Sequence, residues 1–418
     1  MSWLTRVSDY LTLALFLFVF LRGSDVRLTS TADRLHILAS GYAFDLTGWM
    51  SASAWLKLTQ SAIASPRYFT LPAQRETVLE YLNLVEEIQR VEGEIRRVFS
   101  DPNQPDPYAA SAGLRADLER LYQRYHAVAP FSESVLEMQV TTVLSELGLT
   151  AGGQPIPWVL YHITPLPKNL VLSPREVIRQ ETSYLLQPEM TLEEIIRIED
   201  TVSQRLGYST LVVEIGGLAA YPTMIMRTTA LGWLSNTIAH EWIHLYLGQR
   251  PLGMNYDRTP ELRTMNETTA SIAGDEIGRM VMERYYPELA WRHRETLQLA
   301  SRQAAPLRNF DFRAEMYKTR VRADELLAQG KIEEAEAYME ARRQFFWENG
   351  YAIRKLNQAY FAFHGAYADT PGGAAGEDPV GPAVRELRAR SATLTDFLER
   401  IAQMSSFEEL LAALRASP

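Results

Sequence analysis

The chain has 418 residues, of which 46% are hydrophobic and 22% charged, and its formal net charge is −9. These fractions are typical of globular proteins, so wholesale disorder, a collagen-like repeat and a polytopic membrane protein are disfavoured. The acidic balance argues against a nucleic-acid partner, which requires a basic face. Because the sequence contains no cysteine, any bound metal must be held by histidine and carboxylate side chains.

An uncharged run, YLTLALFLFVFL, occupies residues 10–21 and is followed by Arg22. It is shorter than the roughly 20 apolar residues of a membrane-spanning helix, and no small-x-small cleavage pattern follows it. An uncleaved membrane anchor, an export signal and a buried first helix are all compatible with it, and the anchor is favoured. We therefore expect membrane association through this segment, and otherwise a soluble cytoplasmic or exported protein.

The first 150 residues show the apolar spacing of three and four that is typical of helices. One packed or interfacial helix is predicted over residues 35–58, and further helices over 73–99, 111–127 and 132–148. A glycine- and proline-rich break at 151–157 precedes predicted strands over 158–163, 169–172, 211–215 and 223–227. Capping patterns at 173–176 (SPRE) and 191–194 (TLEE) each predict the start of a helix.

Helices are also predicted beyond residue 285. Two of them, over 311–329 and 331–349, turn at Gly330. Residues 369–382 have the composition of a flexible loop, and two short helices close the chain.

The motif His240-Glu241-Trp242-Ile243-His244 lies in a helix predicted from about residue 229 to 247. Residues four apart share a helix face, so both imidazoles can face one ion, with Glu241 close enough to act on a water at that ion. The alternative is an ordinary solvated helix face. The preceding strands, and the end of the helix just after His244, favour the metal site.

Catalytic zinc requires a third protein ligand. A metzincin would place Gly and His where this chain has Leu247 and Arg250, which excludes that class. Glu267 is the favoured third ligand, in the first turn of a helix predicted from about residue 264 to 285, and Asp275 with Glu276 is the weaker alternative.

Small residues at Ala270, Ser271 and Gly274 would let this second helix approach the first closely. We predict that His240, His244 and Glu267 bind Zn²⁺.

At these residues the chain resembles the gluzincin metallopeptidases, thermolysin-like and aminopeptidase-like enzymes that pair the HExxH helix with a downstream Asn-Glu helix. The resemblance covers about residues 211–278 and implies a zinc peptidase in which Glu241 is the general base and Glu267 the third ligand. It also implies that substrate runs along an edge strand, which residues 216–222 and their flanking strands resemble.

The chain departs from that family at two points. Thermolysin-like enzymes have an Asp that orients a zinc-bound His where this chain has Ser271, and Asp275 is the candidate substitute one turn later. The Gly-x-Met-Glu-Asn signature of aminopeptidases is absent from the sequence. The resemblance therefore does not imply aminopeptidase activity for this chain.

The resemblance also implies a Tyr or His, after the third ligand, that stabilises an oxyanion. Residues 357–367 contain the candidates, and Tyr367 and His364 are favoured over Tyr360. Aromatic residues at helical spacing more often belong to a hydrophobic core.

We predict an α+β fold, predominantly α-helical, in which a zincin-like core is embedded between helical regions. This core is a small sheet followed by an active-site helix and a ligand helix. The chain is predicted to divide into four regions: a candidate anchor or signal segment at 1–23, a helical region at 24–150, the catalytic core at 151–290 and a helical region at 291–418.

The predicted function is that of a zinc-dependent peptidase acting on a peptide or protein, with endo- and exopeptidase action both open. The alternative is a non-catalytic helical interaction or scaffold protein with an idle zincin core. No nucleic-acid partner is expected, and the sequence does not indicate an oligomeric state.

Overall fold

The computed structural model describes Thr12 and residues 30–63, 66–290, 310–367 and 373–416. Helices predominate over strands in these residues, which confirms a mainly helical α+β protein. Apart from Thr12, the uncharged run at 10–21 lies outside the described residues. No described helix is both long and apolar enough to cross a membrane.

The N-terminal part of the described chain is helical, as predicted. Its helices are α1 (Thr31–Ala39), α2 (Leu46–Ile63), α3 (Leu71–Ser100), α4 (Pro107–Ala110) and α5 (Ala112–Glu146). The single helix predicted over 35–58 is wrong, because a bridge between Ala43 and Leu186 interrupts the chain between α1 and α2. The two helices predicted over 111–127 and 132–148 are wrong, because α5 continues through Pro130. Proline inside a helix costs about 3 kcal/mol. Burial of Ala129, Val135 and Leu136 on either side of it, in the packing of α5 against α3, offsets that cost.

Within the described residues, six strands form two small sheets. They are β1 (Tyr161–Ile163), β2 (Lys168–Pro174), β3 (Thr182–Leu186), β4 (Tyr208–Val213), β5 (Gly217–Leu218) and β6 (Thr223–Ile225). One sheet is antiparallel, in the order β3-β2-β4; the other has the order β1-β6-β5, with β1 parallel to β6 and β5 antiparallel to it. Strand β3 was not anticipated. Strand β5 is an edge of its sheet and precedes the helix that carries the HExxH motif.

The two capping patterns have different outcomes. Thr191 caps α6 (Leu192–Leu206): its side chain accepts from the Glu194 amide at 3.3 Å, and the Glu194 carboxylate accepts from the Thr191 amide at 2.9 Å. The helix predicted at 173–176 is wrong. Ser173 pairs with Ser209 in the ladder between β2 and β4, and its hydroxyl accepts from the Arg179 amide at 3.3 Å. Strand pairing therefore outweighs the local capping signal.

Helices α7 (Leu231–Leu247), α8 (Pro251–Met254) and α9 (Pro260–Tyr285) follow the sheets. Both α7 and α9 lie in the largest hydrophobic core, which also receives side chains from α3 and α5. Thr259 caps α9, accepting from the Leu262 amide at 3.3 Å, and Pro260 occupies its first turn. The predicted start at residue 264 is therefore one turn too late.

The C-terminal part is also helical. Its helices are α10 (Phe312–Ala328), α11 (Ile332–Glu348), α12 (Gln358–His364), α13 (Val380–Arg390), α14 (Leu394–Ala402) and α15 (Phe407–Ala416). The predicted pair that turns at Gly330 is confirmed, with Gly330 at φ +74°. Three helices, not two, lie between residue 380 and the end of the described chain. Asn357 anchors α12 to the antiparallel sheet, donating to the Thr210 carbonyl at 3.0 Å.

Candidate metal centre

Helices α7 and α9 approach each other closely at two glycines of α9. A Cβ added at Gly274 would lie 3.0 Å from the Asn236 carbonyl oxygen and 3.0 Å from the Cβ of His240. A Cβ added at Gly278 would lie 2.7 Å from the Asn236 amide nitrogen. Larger side chains at these positions would force the helices apart, so the predicted close approach is present.

This approach brings His240, His244 and Glu267 together. The Nε2 atoms of the two histidines are 3.1 Å apart, and Glu267 Oε2 lies 3.4 Å from His244 Nε2 and 3.7 Å from His240 Nε2. One ligand atom from each residue falls within 4.8 Å of the others. The structure thus groups the three residues that the sequence proposed as metal ligands. Glu267, however, lies two turns into α9, so the expectation of a first-turn carboxylate is wrong.

The two oxygens of Glu267 have different surroundings. Oε1 accepts a hydrogen bond from the Tyr256 hydroxyl. Oε2 is buried and has no hydrogen-bond partner. Burial alone would raise the pKa of Glu267, but His244 and His240 hold it well below its usual range. An ionised carboxylate with one oxygen held and the other unpartnered beside two imidazole nitrogens fits a divalent cation.

His244 is oriented through its second ring nitrogen. Nδ1 lies 2.7 Å from Asn266 Oδ1, which can only accept, so Nδ1 carries a proton and Nε2 is the nitrogen that faces the cluster. Burial opposes charging of this imidazole, but Glu267 outweighs it and raises the pKa of His244 to about 9. Sequence reasoning used Asn266 only as part of the Asn-Glu pattern and missed this orienting contact.

Glu241 lies beside the cluster and next to the edge strand β5. Its side chain is 7% exposed. A Cβ added at Gly217 would collide with the Glu241 carboxylate, lying 2.9 Å from its Cδ. Burial raises the pKa of Glu241, with the two histidines opposing that shift. A carboxylate of raised pKa is suited to accepting and returning a proton near neutral pH.

The other residues named from the sequence have varied positions. Tyr367 is 37% exposed, and desolvation together with the negative charges of Glu267 and Glu241 raises its pKa well above the usual range. The described ring contact of Tyr367 is with Phe363, at 5.8 Å between centroids. The described ring contacts of His364 are with Tyr360, at 4.4 Å between centroids, and Phe363, at 5.1 Å, and they do not connect it to the cluster.

The alternative ligands are engaged elsewhere. Asp275 accepts from the Asn236 amide group at 2.7 Å, so it braces α7 against α9. Glu276 forms a two-point ion pair with Arg388, at 2.7 and 2.8 Å. Asn266, which directly precedes Glu267, contacts His244 of the cluster.

A cavity of about 670 Å³ adjoins the cluster. Tyr256 lines this cavity and also donates to Glu267, so it forms a wall shared by the cavity and the cluster. Sequence reasoning missed Tyr256, because it lies in the turn between α8 and α9, outside any helical spacing rule.

No known protein family matches the chain, and no curated protein or solved structure is significantly similar to it. The function of the site is therefore argued from its own geometry and chemistry.

Proposed function

We propose that the chain is a zinc-dependent peptidase of the gluzincin type. The observation that carries this proposal is the cluster of His240, His244 and Glu267 with the buried Glu241 beside it. Within the described residues, this is the one group of three histidine or carboxylate side chains with a metal-ligand arrangement. A His₂Glu set is a known ligand set of catalytic zinc, and it leaves one tetrahedral position open.

Zinc held by His240, His244 and Glu267 would polarise the scissile carbonyl and lower the pKa of the attacking water. Glu241 takes a proton from that water as its oxygen bonds to the carbonyl carbon. The same carboxyl group then delivers the proton to the amide nitrogen as the C–N bond breaks. The products are a carboxylic acid and an amine.

Tyr367 is the proposed donor to the oxyanion. Its raised pKa keeps the phenol protonated, so the hydroxyl can donate a hydrogen bond to the developing negative charge. Strand β5 is the proposed guide for the substrate backbone, since it is an edge of its sheet and Gly217 brings its backbone against Glu241.

The test is to measure zinc per chain and hydrolysis of a peptide library by the wild type and by Glu241→Gln. We expect about one zinc in both proteins and hydrolysis only in the wild type. Glu283→Gln, at an exposed position of α9, is the matched control and should keep full activity. A metal-free, inactive wild type contradicts the proposal. Bound zinc without hydrolysis supports the alternative of a non-catalytic scaffold.

A further inference from the structure

Arg263 lies on α9 one helical turn before Glu267, and residues four apart share a helix face. Only 8% of Arg263 is exposed. Its Nε and Nη1 atoms are buried without a hydrogen-bond partner. The described contact of the guanidinium is with the Tyr256 ring, whose centroid lies 5.5 Å from Cζ.

An unpaired guanidinium at such a site destabilises the folded protein, because burial removes its hydration and no acceptor replaces the water. Two other arginines that line the same cavity do have partners. Arg179 lies 3.1 Å from a Glu181 oxygen, and Arg320 lies 2.7 Å from an Asp324 oxygen. The fold therefore supplies no acceptor to these two nitrogens of Arg263.

Arg263 lines the cavity of about 670 Å³ that adjoins the metal centre. That volume lies within the usual range of ligand sites, about 300–1,000 Å³. Tyr256 lines the cavity and donates to Glu267, so this one residue stands between a group bound at Arg263 and the cluster. Phe361 and Ala366 add apolar lining, which suits the side chain of a peptide residue.

The unpartnered nitrogens of Arg263 call for an acceptor with two oxygens, since the planar guanidinium fork pairs with carboxylates through two parallel hydrogen bonds. None of the acidic residues of the lining is hydrogen-bonded to these two nitrogens, and two of them are engaged elsewhere. Asp378 accepts from the backbone amides of Val380, at 3.0 Å, and Gly381, at 2.7 Å. Glu181 is paired with Arg179.

We propose that Arg263 binds a carboxylate of the peptide substrate in this cavity and thereby sets the specificity of the site. The inference rests on the proposed peptidase function. The carboxylate is either the C-terminus of the peptide, which makes the enzyme act near chain ends, or an Asp or Glu side chain. Both sources share the same chemistry, and the test separates them.

The experiment measures equilibrium binding by calorimetry, in a Glu241→Gln background so that no peptide is consumed. The probes are N-acetylated tetrapeptides with varied apolar last residues, prepared as free acids, as C-terminal amides, and as amides containing one Glu. Three further variants are compared in that background. They are Arg263→Met, Arg263→Lys and Arg258→Met, the last at an exposed position of the same cavity wall as a matched control.

We expect the free acids to bind about 10-fold or more tightly than the plain amides, because a charge-assisted contact is worth at least 1.5 kcal/mol. Arg263→Met should abolish this preference, Arg263→Lys should keep part of it, and Arg258→Met should leave it unchanged. If the Glu-containing amides show the Arg263-dependent preference instead, the side chain is the source of the carboxylate.

Equal binding of all three peptide forms, no binding of any of them, or a preference that survives Arg263→Met overturns the inference. Measuring the free energy of unfolding tests whether Arg263→Met loses binding only because the fold is damaged. Arg263→Met should leave this free energy unchanged or raise it, since a buried unpaired charge is removed. Hydrolysis without a carboxylate preference contradicts this inference alone, whereas an Arg263-dependent preference without zinc or hydrolysis contradicts the peptidase proposal alone.

Discussion

Asn266 Oδ1 lies 2.7 Å from His244 Nδ1, and Asn266 directly precedes the carboxylate that faces the same imidazole from its other side. Two adjacent residues of α9 thus act on one histidine of α7. Asn266 contacts the Nδ1 side of the His244 ring, and Glu267 Oε2 lies 3.4 Å from Nε2 on the other side.

Replacing Asn266 by Ala should weaken zinc binding about 10- to 100-fold, because the His244 ring loses the contact that fixes its orientation and tautomer. Competition with a chelator of known affinity measures this. Asn266→Asp keeps an acceptor oxygen and should retain most of the affinity. Equal affinities of wild type and Asn266→Ala would show that Asn266 does not orient the ligand.

Gly217→Ala should lower peptide hydrolysis by at least about 10-fold with zinc binding retained, because the added methyl group collides with the Glu241 carboxylate. The measurements are kcat on the best library peptide and zinc per chain. Gly232→Ala is the control: it lies in the same helix as Glu241, and its added Cβ meets no atom within 4 Å. Full activity of Gly217→Ala contradicts the proposed place of β5 against the general base.

Lys57 ties α2 to α5 through a buried charge cluster. Its Nζ lies 2.7 Å from Glu133 Oε2 and 2.9 Å from Glu137 Oε1. Lys57→Met should lower the free energy of unfolding by about 3–5 kcal/mol, because two carboxylates lose their buried cation. Denaturant unfolding measures this. Lys318→Met, which removes an exposed pair with Glu315, should change stability by less than about 0.5 kcal/mol. Similar losses in both variants would contradict the assigned role of Lys57.

The same cluster predicts a pH dependence. Burial would raise the pKa of Glu133, but Lys57 and His162 lower it to about 2, against an ordinary value of 4.5. The ionised form therefore stabilises the fold fully above about pH 4.5, and this contribution is lost as the pH falls towards 2.

The stability advantage of wild type over Glu133→Gln should therefore shrink as the pH is lowered from about 5 towards 2. Denaturant unfolding at a series of pH values measures it. An exposed glutamate change, Glu86→Gln, should show no comparable trend. An advantage that grows with acidity would reverse the sign and contradict the lowered pKa.

The sequence predicted those parts of the fold that depend on local periodicity. The long amphipathic α3, the strand β2 and the α10–α11 pair were found because their side chains repeat at the spacing of their own element. The prediction failed where distant contacts outweigh local preference, as at Pro130 inside α5 and at Ser173 in the strand ladder.

The candidate site shows the same contrast between residues that local spacing brings together and residues that distant contacts bring together. His240 and His244 share a helix face, so spacing alone could bring them together, and the Asn-Glu pattern pointed to Glu267. The contact of Tyr256 with Glu267 and the place of Arg263 at the cavity arise from the packing of a turn and two helices. No spacing rule relates Tyr256 to Glu267 or Arg263 to the cavity, so only the three-dimensional arrangement could show these relationships.

The glycine contact between α7 and α9 links metal binding to folding. The two histidines belong to one helix and can be adjacent in a partly folded chain, but Glu267 joins them only when Gly274 and Gly278 dock against α7. An ion that prefers all three groups therefore favours the docked helices over every less compact state. Zinc would then act as a folding ligand, and its loss would loosen a helix pair that contributes side chains to the largest hydrophobic core of the described residues.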